Sequence, residues 1–220
     1  DQLILPDTER KKFDEVLLYA NEHDTIYDDW GFGERFPYGR GLSVLFYGPP
    51  GTGKTMAASI IANYLGLDLF RIDLSRIMNR YVGETEKNLA RVFDEAERGR
   101  VMLLFDEADA LFAKRTSVKS TVDRYANLEV AYLLQRMENF EGVTVLTTNV
   151  EANLDDAFKR RIRYRIYFPM PDGPTRGRLF ESLIPTNAPM KENIPFELLG
   201  EHFEISGGHI KQAVLKAAFY

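Results

Sequence analysis

The stretch Gly48-Pro49-Pro50-Gly51-Thr52-Gly53-Lys54-Thr55 constrains this chain more than any other. It has the spelling G-x-x-x-x-G-K-[ST], follows an apolar run from Leu42 to Tyr47 and precedes a helix-like run from Met56 to Leu65. A strand, a glycine-rich loop and a helix in that order are the context in which this spelling cradles phosphate. The glycines let successive backbone N–H groups turn inward and form a nest at a helix N-terminus. Lys54 supplies a point charge for β- and γ-phosphates, and Thr55 a hydroxyl where Mg²⁺ would sit. Pro49 and Pro50 stiffen the approach and remove two donors that a phosphate does not need. Gly48 to Thr55, with Met56 at the start of the helical run, is the candidate nucleotide-binding segment. A plain Gly/Pro turn before a helix is the simpler alternative, and it leaves the four fixed positions and their flanks unexplained together.

The rest of the composition sets limits. The chain of 220 residues is long enough for one large domain or a large and a small one, and 45% hydrophobic with 28% charged residues is ordinary for a globular protein. A net charge of −5 gives no general attraction to nucleic acid or to an anionic membrane. Cys is absent, which excludes disulfides and thiolate metal sites and fits a reducing compartment. There is no apolar run near 18 residues and no basic-then-apolar leader. The expectation is a cytoplasmic protein without membrane or nucleic-acid partners. The abrupt start at Asp1 and the helical pattern at Tyr220 lead us to expect a fragment of a longer chain.

Taken in order, residues from Asp7 predict an amphipathic helix with Phe13, Val16, Leu17 and Ala20 on one face and Asp7 or Thr8 as its cap. A loop with Trp30-Gly31-Phe32-Gly33 and Phe36-Pro37-Tyr38-Gly39 follows. It reads either as a surface loop packing its aromatics on the domain or as a lid over an adenine ring. Short apolar or β-rich runs then occur at Leu42–Tyr47, Leu69–Asp73, Val101–Asp106, Val143–Thr148 and Arg165–Phe168. Helical spacing separates them at Thr55–Leu65, Glu84–Arg98 and Tyr125–Glu138, the last with Leu128, Ala131, Leu134 and Gln135 near one face and Tyr132 and Met137 beside it. Such alternation predicts an α/β fold with a parallel sheet flanked by helices, its ligand at the carboxyl ends of the strands. After Pro169–Pro174 only helical patterns remain, at Arg176–Leu183, Phe196–Phe203 and Gly208–Phe219. The expected division is a core of residues 1–170 and a small all-helical lid of residues 171–220. Lys114–Asp123 is polar and reads as a loop.

Two further stretches carry chemistry. Met102-Leu103-Leu104-Phe105-Asp106-Glu107 reads as a strand buried on both faces with two carboxylates at its end. Side chains alternate along a strand, so the two acids take different work. Asp106 would bind Mg²⁺ beside Thr55, and Glu107 would polarise the water that attacks the γ-phosphate. Asn149, at the tip of the next run, is placed to hold that water or sense the phosphate, although a turn also favours Asn there. Asp155 to Arg165 is a dense basic patch. It reads as a solvated face, or as a source of arginine fingers, Arg160 and Arg161, that reach a neighbouring subunit's γ-phosphate.

On these residues the chain resembles an AAA+ ATPase module, a P-loop NTPase close to the classical AAA clade that remodels proteins. Asp106-Glu107-Ala108-Asp109 matches the family's second nucleotide motif and Thr147-Thr148-Asn149 its first sensor. Leu154 to Arg161 resembles the arginine-finger segment of the clade that includes the microtubule-severing enzymes. The resemblance runs roughly from Leu3 to Ala218 and implies Mg²⁺ and ATP as ligands, a ring of identical subunits, expected to be a hexamer, and a polypeptide substrate. It also implies that Asn79 to Lys87 is a pore loop whose Tyr81 and Val82 grip an extended chain. From the residues alone, a hydrophobic staple before a helix explains Tyr81 and Val82 about as well.

The chain departs from the family at Ser206-Gly207-Gly208-His209-Ile210-Lys211, where relatives often carry an Arg as second sensor. Here His209 or Lys211 would approach the nucleotide, or the segment is only a helix N-terminus with a permissive Gly pair. The Asn127–Val130 helix and the Gly207–Gly208 pair are similar to ATPases that accompany bacterial contractile injection systems. The expected function is a Mg-ATP-hydrolysing ring motor that threads or remodels polypeptide. The alternative is an assembly factor that uses nucleotide as a switch. A DNA-directed motor would require a basic channel or an added DNA-binding motif, and the sequence offers neither.

Overall fold

A computed structural model describes residues 3–74, 84–109, 121–149, 160–190 and 194–219, with the backbone alone at 121–127. Its five strands form one parallel sheet: β1 (Leu42–Tyr47), β2 (Asp68–Asp73), β3 (Val101–Asp106), β4 (Val143–Thr148) and β5 (Tyr164–Tyr167), in the order β2-β3-β4-β1-β5. The helices are α1 (Asp7–Asn21), α2 (Phe32–Arg35), α3 (Lys54–Leu65), α4 (Glu84–Arg98), α5 (Thr121–Asn139), α6 (Gly173–Ser182), α7 (Phe196–His202) and α8 (Gly207–Ala218).

The central strands β1, β3 and β4 have apolar centres covered on both faces. Side chains alternate, so Val44 and Phe46 of β1 join Met102 and Leu104 of β3 against Phe13, Val16, Ala57 and Ile61 of α1 and α3. Leu45, Leu103 and Phe105 point the other way, into Leu89 and Phe93 of α4 and Leu133, Leu134 and Met137 of α5. At about 25 cal/mol per Å², these two layers supply the main drive for folding. All strands run the same way, so their carboxyl ends open onto one edge, and β1, β3 and β4 deliver their loops there side by side.

Three local expectations change. The N-cap position of α1 is Pro6, and neither Asp7 nor Thr8 caps it through a side chain; Asp7 and Glu9 favour the first turn by charge instead. The buried stripe of α5 is Val130, Leu133, Leu134 and Met137, while Leu128 is 57% exposed. Thr121 to Asp123, read as part of a polar loop, belongs to α5; the rest of that stretch, from Lys114, lies outside the described residues. No helix of the described residues is long and apolar enough to cross a membrane.

α6 starts where Asp172 accepts a hydrogen bond from the Thr175 N–H at 2.9 Å, which holds its carboxyl below the usual range. A depressed folded pKa stabilises above the unfolded pKa, and that contribution is lost as pH falls through the folded value. Asp172→Ala is therefore expected to cost about 1 kcal/mol at neutral pH. The difference from wild type in thermal melting should shrink below pH 4.

Candidate functional site

A cleft of about 920 Å³ lies at the carboxyl edge of the sheet, walled by residues 3–7, 50–56, Arg71, Asp106, Glu107, Thr147, Asn149 and the helical segment through Asp172, Arg178, Gly207, Gly208 and Lys211. The loop between β1 and α3 is its floor. Gly48, Gly51 and Gly53 all take positive φ, at 133°, 74° and 101°. At Gly48 a Cβ would also strike the Phe168 carbonyl, so only glycine fits there. Lys54 is buried, and burial lowers its pKa against the opposing pull of Asp109 and Asp106. Its ammonium donates to the Gly48 and Pro49 carbonyls at 2.6 and 2.8 Å. A charged phosphate in the nest would exchange these neutral acceptors for charged ones.

Strand pairing assembles the acidic part. Thr147 on β4 donates a short hydrogen bond to Asp106 Oδ1, and its hydroxyl accepts from the Glu107 N–H at 3.2 Å. The Thr55 hydroxyl lies 3.4 Å from Asp106 Oδ2. Thr55 and Asp106 thus present two oxygen donors side by side beside the phosphate nest, the chemistry a small hard cation requires, so these residues fit Mg²⁺. Glu107 leaves the strand with φ of 54°, rare for a residue with a Cβ, and this turns its carboxylate to the exposed cleft while Asp106 stays buried. Glu107→Asn, which tolerates that conformation better, is expected to raise stability by roughly 1 kcal/mol. Thermal melting would show a rise of about 2–4 °C for a chain of this size.

Asn149 sits beside Glu107 on the cleft wall. Asp109 fixes it by accepting from its backbone N–H at 2.8 Å and its side-chain Nδ2 at 3.2 Å. With Nδ2 so engaged, the amide oxygen is the atom left to accept from a water in the cleft.

The arginines lie elsewhere. The Arg161 carbonyl accepts from Ser43 Oγ at 2.9 Å, and Val44 pairs with Tyr164. That is the amino end of β1, whereas the phosphate loop leaves its carboxyl end. At about 3.3 Å per residue, Ser43 and Gly48 are about 16 Å apart, so neither Arg160 nor Arg161 lines this chain's own cleft. Both side chains are exposed, with Arg161 Nε donating to Glu138 at 3.1 Å. Tyr81 and Val82 lie outside the described residues.

The start of α8 forms part of the cleft wall. The Gly208 N–H donates to the Gly51 carbonyl at 2.8 Å, and a Cβ on Gly51 would run into Ser206 Oγ. It is therefore the absence of a side chain at Gly51 that lets the start of α8 approach the phosphate loop so closely, with a Cβ at Gly208 only slightly crowded against Gly51. His209 turns its Nδ1 to Ser206 Oγ at 2.9 Å and does not line the cleft; Lys211 does. The wall ahead of β1 comes from Leu3 to Asp7, with Leu3 packed near Gly53. The aromatics of the Trp30–Gly39 segment do not line the cleft and are largely exposed, Trp30 at 67% and Tyr38 at 87%, with Phe32 stacked on Phe36. Sequence reasoning missed Arg71. Its Nη2 lies 2.6 Å from Asp106 Oδ2, a contact made by the pairing of β2 with β3 and signalled only by a cation in an otherwise apolar run.

A parallel sheet with a glycine nest at the end of β1 and a paired Thr–Asp oxygen set beside it defines the class of α/β nucleotide-phosphate-binding proteins. A model of the ATPase family associated with various cellular activities (AAA) matches residues 44–170. The chain belongs to this family of ATPases. It is 31% identical over 185 residues to cell division protein C of Sulfolobus acidocaldarius, covering 78% of this chain and 50% of that protein. It is 38% identical over 140 residues to an uncharacterized AAA family ATPase, y4kL, of Sinorhizobium fredii, covering 63% and 42%. It is 32% identical over 182 residues to a putative 26S proteasome regulatory subunit homolog of Methanothermobacter thermautotrophicus, covering 81% and 49%. The chain spans about half the length of these relatives or less.

Proposed function

We propose that this chain is the nucleotide-hydrolysing module of a ring-forming ATPase that works on polypeptide, its active site completed by a neighbouring copy. The observation that carries this reading is the separation of parts. Lys54, Thr55, Asp106, Glu107 and Asn149 converge on one cleft, while Arg160 and Arg161 stand at the opposite end of the strands, facing outward. Arginines that serve phosphoryl transfer from that position must serve another subunit.

In the proposed reaction the loop N–H groups and Lys54 hold the β- and γ-phosphates of ATP. Glu107 accepts a proton from the attacking water, which the Asn149 amide oxygen orients. Arg160 and Arg161 of a neighbour neutralise charge on the transferring phosphoryl group. Thr55 and Asp106 would hold Mg²⁺, which when bound would supply positive charge to screen the phosphates. The contact of Gly51 with Gly208 gives the helical segment a direct link to the phosphate loop, and Tyr81 and Val82 would grip the substrate chain. The proteasome-regulatory name of one relative agrees with a polypeptide substrate.

The test is ATPase rate per subunit across a wide range of protein concentration, with and without an unfolded polypeptide such as casein. Specific activity is expected to rise with concentration, and Tyr81→Ala to abolish the response to polypeptide while sparing the basal rate. Flat specific activity would show a site complete within one chain and move the reading to a nucleotide-dependent switch.

A further inference from the structure

We infer that Arg71 is a tethered counter-ion of the Thr55–Asp106 cation site, holding the carboxylate until a divalent ion takes it over. The inference rests on the nucleotide reading above and adds a residue to it. Arg71 sits on β2 opposite Leu104, and Asp73 opposite Asp106, so its side chain reaches along the strands toward the cleft. Its Nη2 meets Asp106 Oδ2 at 2.6 Å, the same oxygen that faces the Thr55 hydroxyl at 3.4 Å. The other carboxylate oxygen is taken by the Thr147 hydroxyl.

The two partners differ in freedom. The Asp106 side chain is 8% exposed and that of Arg71 62%. A carboxylate so buried is costly without a cation, and Lys54 is turned away to the Gly48 and Pro49 carbonyls. Among the described residues Arg71 is the cation in contact with Asp106. Because most of its length is in solvent, it can leave without disturbing the core. A guanidinium and a divalent cation compete for the same lone pairs, so metal binding includes the release of Arg71. The freed guanidinium remains on the cleft wall.

Arg71→Gln removes the competitor at an exposed position, and folding is checked by melting temperature. With ADP saturating, the protein is titrated with Mn²⁺ and free ion is read from its paramagnetic resonance signal. The half-saturating Mn²⁺ concentration is expected to fall about three- to five-fold relative to wild type, the scale of a partly exposed ion pair. Because Arg71 is exposed and Asp106 buried, the gain is expected to shrink but not vanish at high salt, and ADP affinity in EDTA to stay within about two-fold. Unchanged or weaker Mn²⁺ binding overturns the inference. So does a gain that disappears at high salt, which marks a long-range field, or a marked loss of ADP affinity in EDTA, which makes Arg71 a phosphate ligand. Wild-type protein that binds no ADP at all sinks the nucleotide reading and this inference together.

Discussion

Glu107→Gln is expected to lower ATP turnover by about 10²–10⁴, the usual contribution of a positioned general base, while ATP binding survives. The geometry separates these two effects. Glu107 touches neither Lys54 nor the glycine nest; its N–H rests on Thr147, and its carboxylate faces open cleft. Glutamine keeps the size and the backbone contact and removes only the capacity to take a proton. A nucleotide-binding titration beside single-turnover hydrolysis reads both quantities. Equal loss of binding and turnover would mean that Glu107 shapes the phosphate site and another group activates water.

Arg161→Ala, alone or with Arg160→Ala, is expected to cost about 10³ or more in turnover, with nucleotide binding retained. The sharper experiment mixes two inactive proteins. In a ring, a cleft from an Arg161→Ala subunit keeps Glu107, and a neighbour carrying Glu107→Gln keeps Arg161. Wherever these meet in the right order the site is whole, so an equal mixture should recover roughly a quarter of wild-type activity, by random assembly of a head-to-tail ring. No recovery, with each variant still assembling, would place the arginine chemistry elsewhere. The Glu138 contact to Arg161 gives a milder variant of the same test, since Glu138→Ala removes that contact and keeps the guanidinium.

The parts of the fold legible in sequence are those whose physics is local. β1, β3 and β4 fall where the apolar runs place them, since central strands covered on both faces admit little else. The edge strands β2 and β5 each begin one residue earlier than the reading, because their ends are partly exposed and their pattern is weaker. On α5, Leu134 and Met137 are buried as the pattern indicates, while Leu128 is exposed and Val130 and Leu133 take its place, since Leu128 and Ala131 fit the helical period about as well. The choice between them is made by Phe93 and Phe105, which come from elsewhere in the chain. Family membership and the sheet architecture accord with the motifs. Arg71 could not be found the same way, since it meets Asp106 only through the pairing of β2 with β3. Nor did residue type decide between His209 and Lys211; the Ser206 hydroxyl settles where the His209 ring turns.

The hydrogen bond from Gly208 to Gly51 has a mechanical meaning. It joins the crown of the phosphate loop to the first turn of a helix of 12 residues, about 18 Å long. No intervening linker separates the loop from α8, so any shift of the loop would meet the end of the helix first. The close approach of Gly51 and Gly208 is the joint between the two, and a side chain at Gly51 would wedge it open against Ser206.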